Sequence, residues 1–108
     1  MISIDDLEKL DIRIGTIKNV EQVPGSEKLY KEIVDFGPEI GEKQILSGIQ
    51  KYFTPEDLIG KQALFIVNLE PREMMGLTSE GMLLATDGEN GPVLLVPTQE
   101  VPNGSKIK

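Results

Sequence analysis

At 108 residues and 11.9 kDa the chain has room for one modest hydrophobic core, and 39% hydrophobic with 27% charged residues describes a folded globular protein rather than a disordered one. It contains no cysteine and no histidine, which excludes disulfides, thiol chemistry, the usual general base and the usual metal ligand. The net charge of −7 opposes contact with phosphate unless the eleven Lys and Arg residues gather on one face.

Ser3-Ile4-Asp5-Asp6 opens like a helix, with Ser3 as cap and acids in the first turn. Leu7 and Leu10 give this short helix an apolar side, expected to plug one end of the core. Asp11 to Val23 is the first strand. Ile12 and Ile14 share one face while Ile17 has the opposite parity, and Gly15 between them predicts a bulge or sharp bend. Arg13 points to the other face, where it serves either a structural ion pair with a neighbouring acid or a ligand.

Pro24-Gly25-Ser26 is a turn, and Leu29 to Phe36 a second strand whose Lys31 and Glu32 leave at least one side wet. Gly37-Pro38 ends it, and Lys43 to Ile49 is a third strand. Thr54-Pro55-Glu56-Asp57 then sets a cap, a first-turn proline and acids in succession, and Gly60 stops this helix within about two turns. Ala63 to Val67 is a continuous apolar run, read as a strand buried on both faces.

From Asn68 the chain runs through a loop punctuated by Pro71, Gly76 and Gly81. Its mixture of Arg72, Met74, Met75, Thr78 and Ser79 is too polar for core and too apolar for an idle linker, which marks a contact surface. Met82 to Thr86 is a further strand, Asp87 to Pro92 a hairpin connection, and Val93 to Val96 pairs back. Pro97, Pro102 and Gly104 break the tail into short extended pieces.

Three strands, a short helix, then strands again match the five-stranded Greek-key barrel of the OB type, all-β with short helices and extra C-terminal strands, in which a helix closes one end. The competing architecture is an open antiparallel sheet with two helices; the position of the Thr54 helix favours the barrel. One domain is expected over residues 1–108. No apolar run reaches membrane-spanning length, and Met1-Ile2-Ser3 leads into acids rather than a secretory signal, so a cytoplasmic location is favoured.

Several motifs now follow one another in order: Leu10-Asp11-Ile12-Arg13-Ile14-Gly15, Glu27-Lys28-Leu29-Tyr30, Ser47-Gly48-Ile49, Asn68-Leu69-Glu70-Pro71, and Ser79-Glu80-Gly81-Met82-Leu83-Leu84-Ala85. Over essentially its whole length the chain resembles the tRNA-binding OB domain appended to methionyl-tRNA synthetases, which also occurs as a separate beta chain and as a free-standing tRNA-binding protein. The resemblance implies a homodimer that binds tRNA by shape and holds it near a synthetase catalytic domain, in cis or in trans, with no catalytic site, cofactor or metal of its own. It assigns Asn68, Ser79 and Met82 to the RNA contact by direct match. Arg72 is the remaining cation of their loop, and Arg13 and Lys28 are further candidates, with Lys31, Lys43 and Lys51 as other sources of charge. Many family members carry lysine where Glu70 stands and a basic residue where Met75 stands, so weakened tRNA affinity is expected. One branch of the family resembles an export-related chaperone that binds peptides, and Met74-Met75 would suit such adaptable apolar recognition.

Overall fold

The longest strand carries the architecture. In the computed structural model, which describes Met1 to Lys108, β1 (Ile12–Gln22) is long enough to take different partners along its two halves. Its first half lies antiparallel to β4 (Gln62–Ile66), with Ile12 opposite Ile66 and Thr16 opposite Gln62. Its second half lies antiparallel to β2 (Tyr30–Asp35), from Thr16 opposite Asp35 to Gln22 opposite Tyr30. β3 (Glu42–Ser47) pairs outside β2 and β7 (Met82–Leu83) outside β4, so the sheet order is β3-β2-β1-β4-β7.

This sheet curls until its two edges meet, giving the OB-type barrel that the element order predicts. The seam is unlike the rest of the sheet. It is held largely by side chains: Leu46 N–H donates to Ser79 Oγ (3.0 Å), Gln44 N–H to Glu80 Oε1 (2.9 Å) and Gln44 Nε2 to the Thr78 carbonyl (2.9 Å). One backbone bond, Glu80 N–H to the Gln44 carbonyl at 2.8 Å, completes it.

The irregularity in β1 falls at Lys18, where the register with β2 slips between Ile17 and Asn19, and not at Gly15. Gly15 stays in register opposite Ala63. It is glycine for a packing reason: a Cβ there would sit 2.5 Å from Val34 Cγ1 and 2.7 Å from the Phe36 ring. The parity change is therefore real without a bend at Gly15, since Gly15 and Ile17 face the core with Ala63 while Ile12 and Ile14 face away from it.

The core fills the barrel. Phe36 and Phe65 meet edge to face, with centroids 5.3 Å apart and planes at 89°, the arrangement aromatic quadrupoles favour. One end is closed by α3 (Pro55–Leu58), whose Leu58 is fully buried. Its start is fixed as the sequence predicts, with Asp57 N–H donating to Thr54 Oγ1 (3.3 Å) and Thr54 N–H to Asp57 Oδ2 (2.8 Å). The expected plug at the N-terminus is not one. α1 (Ile4–Glu8) forms with its Ser3–Asp6 capping box but buries no residue, because Ile4 and Leu7 turn to the C-terminal tail, beside Lys106, Ile107 and Lys108, rather than to the core. A one-turn α2 (Gly37–Ile40) stands where Gly37-Pro38 was expected only to end a strand.

Past the barrel, the strand expected over Met82 to Thr86 divides at Leu84, whose N–H donates to the Leu64 carbonyl and whose carbonyl accepts from Leu95. β8 (Ala85–Gly88) and β9 (Gly91–Leu94) form the anticipated hairpin around Glu89-Asn90. The tail returns along β1: Ser105 accepts from Ile14 N–H (2.9 Å) and Ile107 N–H donates to Ile12 (2.9 Å). No helix is long and apolar enough to cross a membrane.

Candidate nucleic-acid interface

The polar-apolar stretch after β4 is not a loop but a tight hairpin. β5 (Arg72–Met74) and β6 (Leu77–Ser79) pair with Met74 opposite Leu77, leaving Met75-Gly76 as a two-residue turn. Both turn residues have positive φ, 53° and 79°, the primed geometry whose twist suits a hairpin. Met75 is the one non-glycine residue with positive φ, and its side chain is more than half exposed. Its Cε lies against Gly25, 3.4 Å from where a Cβ would stand, so the β1–β2 loop that carries Lys28 touches the hairpin tip.

Beneath the hairpin is a cleft of about 460 Å³. Leu46, Leu69, Met74 and Met82 form its apolar walls, Arg72 and Glu70 bring charge, and Ser79 and Gly81 lie against β3. Leu69 and Met82, which share the cleft, are each more than two-fifths exposed, and Met75 at the hairpin tip is more than half exposed. Arg72 is exposed and has no carboxylate within ion-pair distance, as do Lys28 and Lys51; Lys31 is held by Glu21 at 3.1 Å and Lys43 approaches Glu80 at 3.8 Å. The cleft is thus an apolar trough with one uncommitted guanidinium and one acid on its rim.

Of the six predicted contact residues, three line this cleft: Arg72, Ser79 and Met82. Ser79 is only 3% exposed, and its hydroxyl accepts from Leu46 N–H while donating to the Gly81 carbonyl (2.9 Å), so it holds the seam. Asn68 stands at the end of β4 with its amide engaged inside the chain. Its Oδ1 accepts from Asp11 N–H (2.9 Å) and its Nδ2 donates to the Lys9 carbonyl (2.8 Å), fastening the segment between α1 and β1.

Arg13 does not line the cleft. Its Nε meets Asp11 Oδ1 at 2.6 Å and its Nη1 donates to the Gly104 carbonyl (3.0 Å), the structural ion pair that was one of its two readings. Donating this hydrogen bond to Asp11 raises the Arg13 guanidinium pKa. Lys28 lies in the neighbouring loop rather than in the cleft. Sequence reasoning missed Leu46 as a wall. The signal was its parity in the third strand, an apolar side chain opposite Lys31 on the face away from the core.

The family model described as "Putative tRNA binding domain" matches residues 12–106. The chain is 46% identical over 106 residues to the methionine–tRNA ligase of Archaeoglobus fulgidus and 44% identical over 108 residues to that of Porphyromonas gingivalis. These matches cover 98% and 99% of this chain but only 16% of either ligase, so the chain spans about a sixth of those relatives. Among solved structures, a MetRS-related protein from Pyrococcus horikoshii superposes with a TM-score of 0.91 at 36% identity, covering 100% of this chain and 98% of that one. A CsaA chaperone protein from Picrophilus torridus superposes at 0.92 with 34% identity and complete coverage of both chains. With the barrel, the hairpin and the motif order in agreement with these matches, the chain belongs to the tRNA-binding domain family whose members include the homologous region of methionyl-tRNA synthetases.

Proposed function

We propose that residues 1–108 act as a non-catalytic, structure-specific tRNA-binding module that serves a methionyl-tRNA synthetase, either as part of it or as a cytoplasmic partner. The observation that carries this reading is the cleft under the hairpin, where Arg72 is free to meet phosphate while Met74 and Met82 offer faces on which an unpaired base packs. Ser79 and Asn68 contribute by holding the hairpin seam and the end of β4 in place. Lys28, three residues on from the Gly25 that touches Met75, is the second cation of this reading. Tethering tRNA in this way raises its effective concentration at a catalytic core.

The test is titration of a fluorescent folded tRNA at low and at raised salt. Binding should weaken steeply as salt rises, and Arg72→Ala should reduce the slope of log K against log salt by about 1. No binding at low salt, or binding insensitive to salt, removes the RNA reading. Glu70 and Arg72 on the same cleft, its apolar lining of Leu69, Met74 and Met82, and the exposed Met75 at the hairpin tip favour a second reading, recognition of unfolded polypeptide. Saturable peptide binding lost on Met75 substitution, with no tRNA binding, would select it.

Pairing into a homodimer belongs to the same proposal. Its support is the number of exposed apolar side chains in the last sixteen residues, Val93, Leu95, Val96 and Ile107, with Leu94 and Val101 half-buried. Light scattering at micromolar protein should give twice the chain mass; a monomer mass would refute it.

A further inference from the structure

The barrel holds one carboxyl side chain in its interior. Glu32 is completely buried in β2, on the core-facing side with Tyr30 and Val34. Val20 of β1 stands opposite it on one side and Ile45 of β3 on the other. Ser47 Oγ donates to its Oε1 at 2.8 Å, and its buried Oε2 has no partner. Ser47 and Ser79 are the other buried polar side chains, and no lysine or arginine faces the carboxyl. The nearest phenol, Tyr30, donates instead to the Phe53 carbonyl.

The position matters because Ser47 ends the strand that forms the seam. Leu46, its neighbour, is the residue whose N–H is held by Ser79 Oγ, and Ser79 in turn holds Gly81. The seam lacks a continuous backbone ladder, the feature that lowers the cost of local opening. Opening it would give the Glu32 carboxyl access to solvent, which an ionised carboxylate gains from far more than a neutral one.

We infer that Glu32 is a proton-operated latch on the barrel seam: its neutral carboxyl lets β3 and the β5–β6 hairpin stay closed, and its ionisation favours release of the hairpin and its cleft. Burial pushes this carboxyl up to about 8, against an ordinary 4.5, while the Ser47 hydrogen bond acts in the opposite direction. The folded-state pKa is the higher one, so the closed state binds the proton more tightly than the open or unfolded chain. Closure is therefore fully favoured below about pH 4.5, is weakened progressively between there and about 8, and bears a constant penalty above that.

The inference does not depend on what the cleft binds and is tested without a ligand. Hydrogen exchange at the Leu46, Gln44 and Glu80 amides is followed from about pH 6 to about pH 9 and corrected for the intrinsic pH dependence of exchange. Opening should grow by up to about tenfold per pH unit and level off near the pKa of Glu32. Glu32→Gln should flatten the profile, and Ser47→Ala, which removes the donor that stabilises the carboxylate, should move the levelling-off to higher pH. The second variant decides the matter if the first fails to fold. Identical profiles in wild type and variants, or seam amides that exchange only together with the barrel core, would overturn the latch.

Discussion

Phe65→Ala is expected to destabilise the domain by about 3–5 kcal/mol. Phe65 is fully buried in β4, with Arg13 opposite it on β1 and Leu83 opposite it on β7. Its ring meets that of Phe36 at right angles, and Phe36 in turn packs over Gly15. Truncation removes the aromatic pair and leaves a void between strands that the hydrogen-bond ladder holds apart, so collapse can recover little. Against a total stability of about 5–15 kcal/mol for a domain of this kind, that is at least about a fifth of the whole. Urea titration should show the midpoint falling with little change in slope. A loss below about 1 kcal/mol would mean that Phe65 does not sit at the packing centre.

Gly81→Ala should cost about 1–3 kcal/mol and disable the cleft as well. A Cβ at Gly81 would lie 2.6 Å from the Ile66 carbonyl oxygen and 3.0 Å from Ile45 Cδ1. The first is backbone in a paired strand and cannot yield cheaply, so the strain moves Gly81 away from β4. That displacement pulls on Ser79, whose hydroxyl bridges the Gly81 carbonyl and the Leu46 amide. The cleft wall moves with it, and affinity for tRNA should fall tenfold or more, a change of at least about 1.4 kcal/mol. Gly48→Ala is the matched control: no atom lies within 4 Å of its Cβ position and its φ is not left-handed, so stability and binding should hardly change. Equal behaviour of the two variants would refute the steric argument.

The elements written into local chemistry were legible. The Thr54–Asp57 capping box, the apolar run of β4 and the long first strand all follow from short-range propensity or periodicity. The β5–β6 hairpin was not, because its strands are three residues long and its turn carries Met75-Gly76 where Asn-Gly would have announced it. Glu32 was hidden for a related reason. A charged residue in a strand ordinarily marks the wet face, and only the partners across the barrel show that Lys31 is on that face and Glu32 on the other. The site was legible as a region but not in its division of labour. Asn68 binds backbone 57 residues away at Asp11, and Ser79 binds backbone 33 residues away at Leu46. No spacing along the chain reveals that such polar side chains are already engaged.

The run of the tail beside β1 has a further consequence. Ile4, Leu7 and Leu10 at one end of the polypeptide and Lys106, Ile107 and Lys108 at the other line a single groove, so the molecule is close to a ring in its connectivity. A short splice between the two ends, with new ends cut at the exposed Glu89-Asn90 turn of the β8–β9 hairpin, would reorder the polypeptide without reordering the barrel, the condition under which circular permutation is tolerated. For the same reason a neighbouring domain joined to either end would leave from the same corner of the fold.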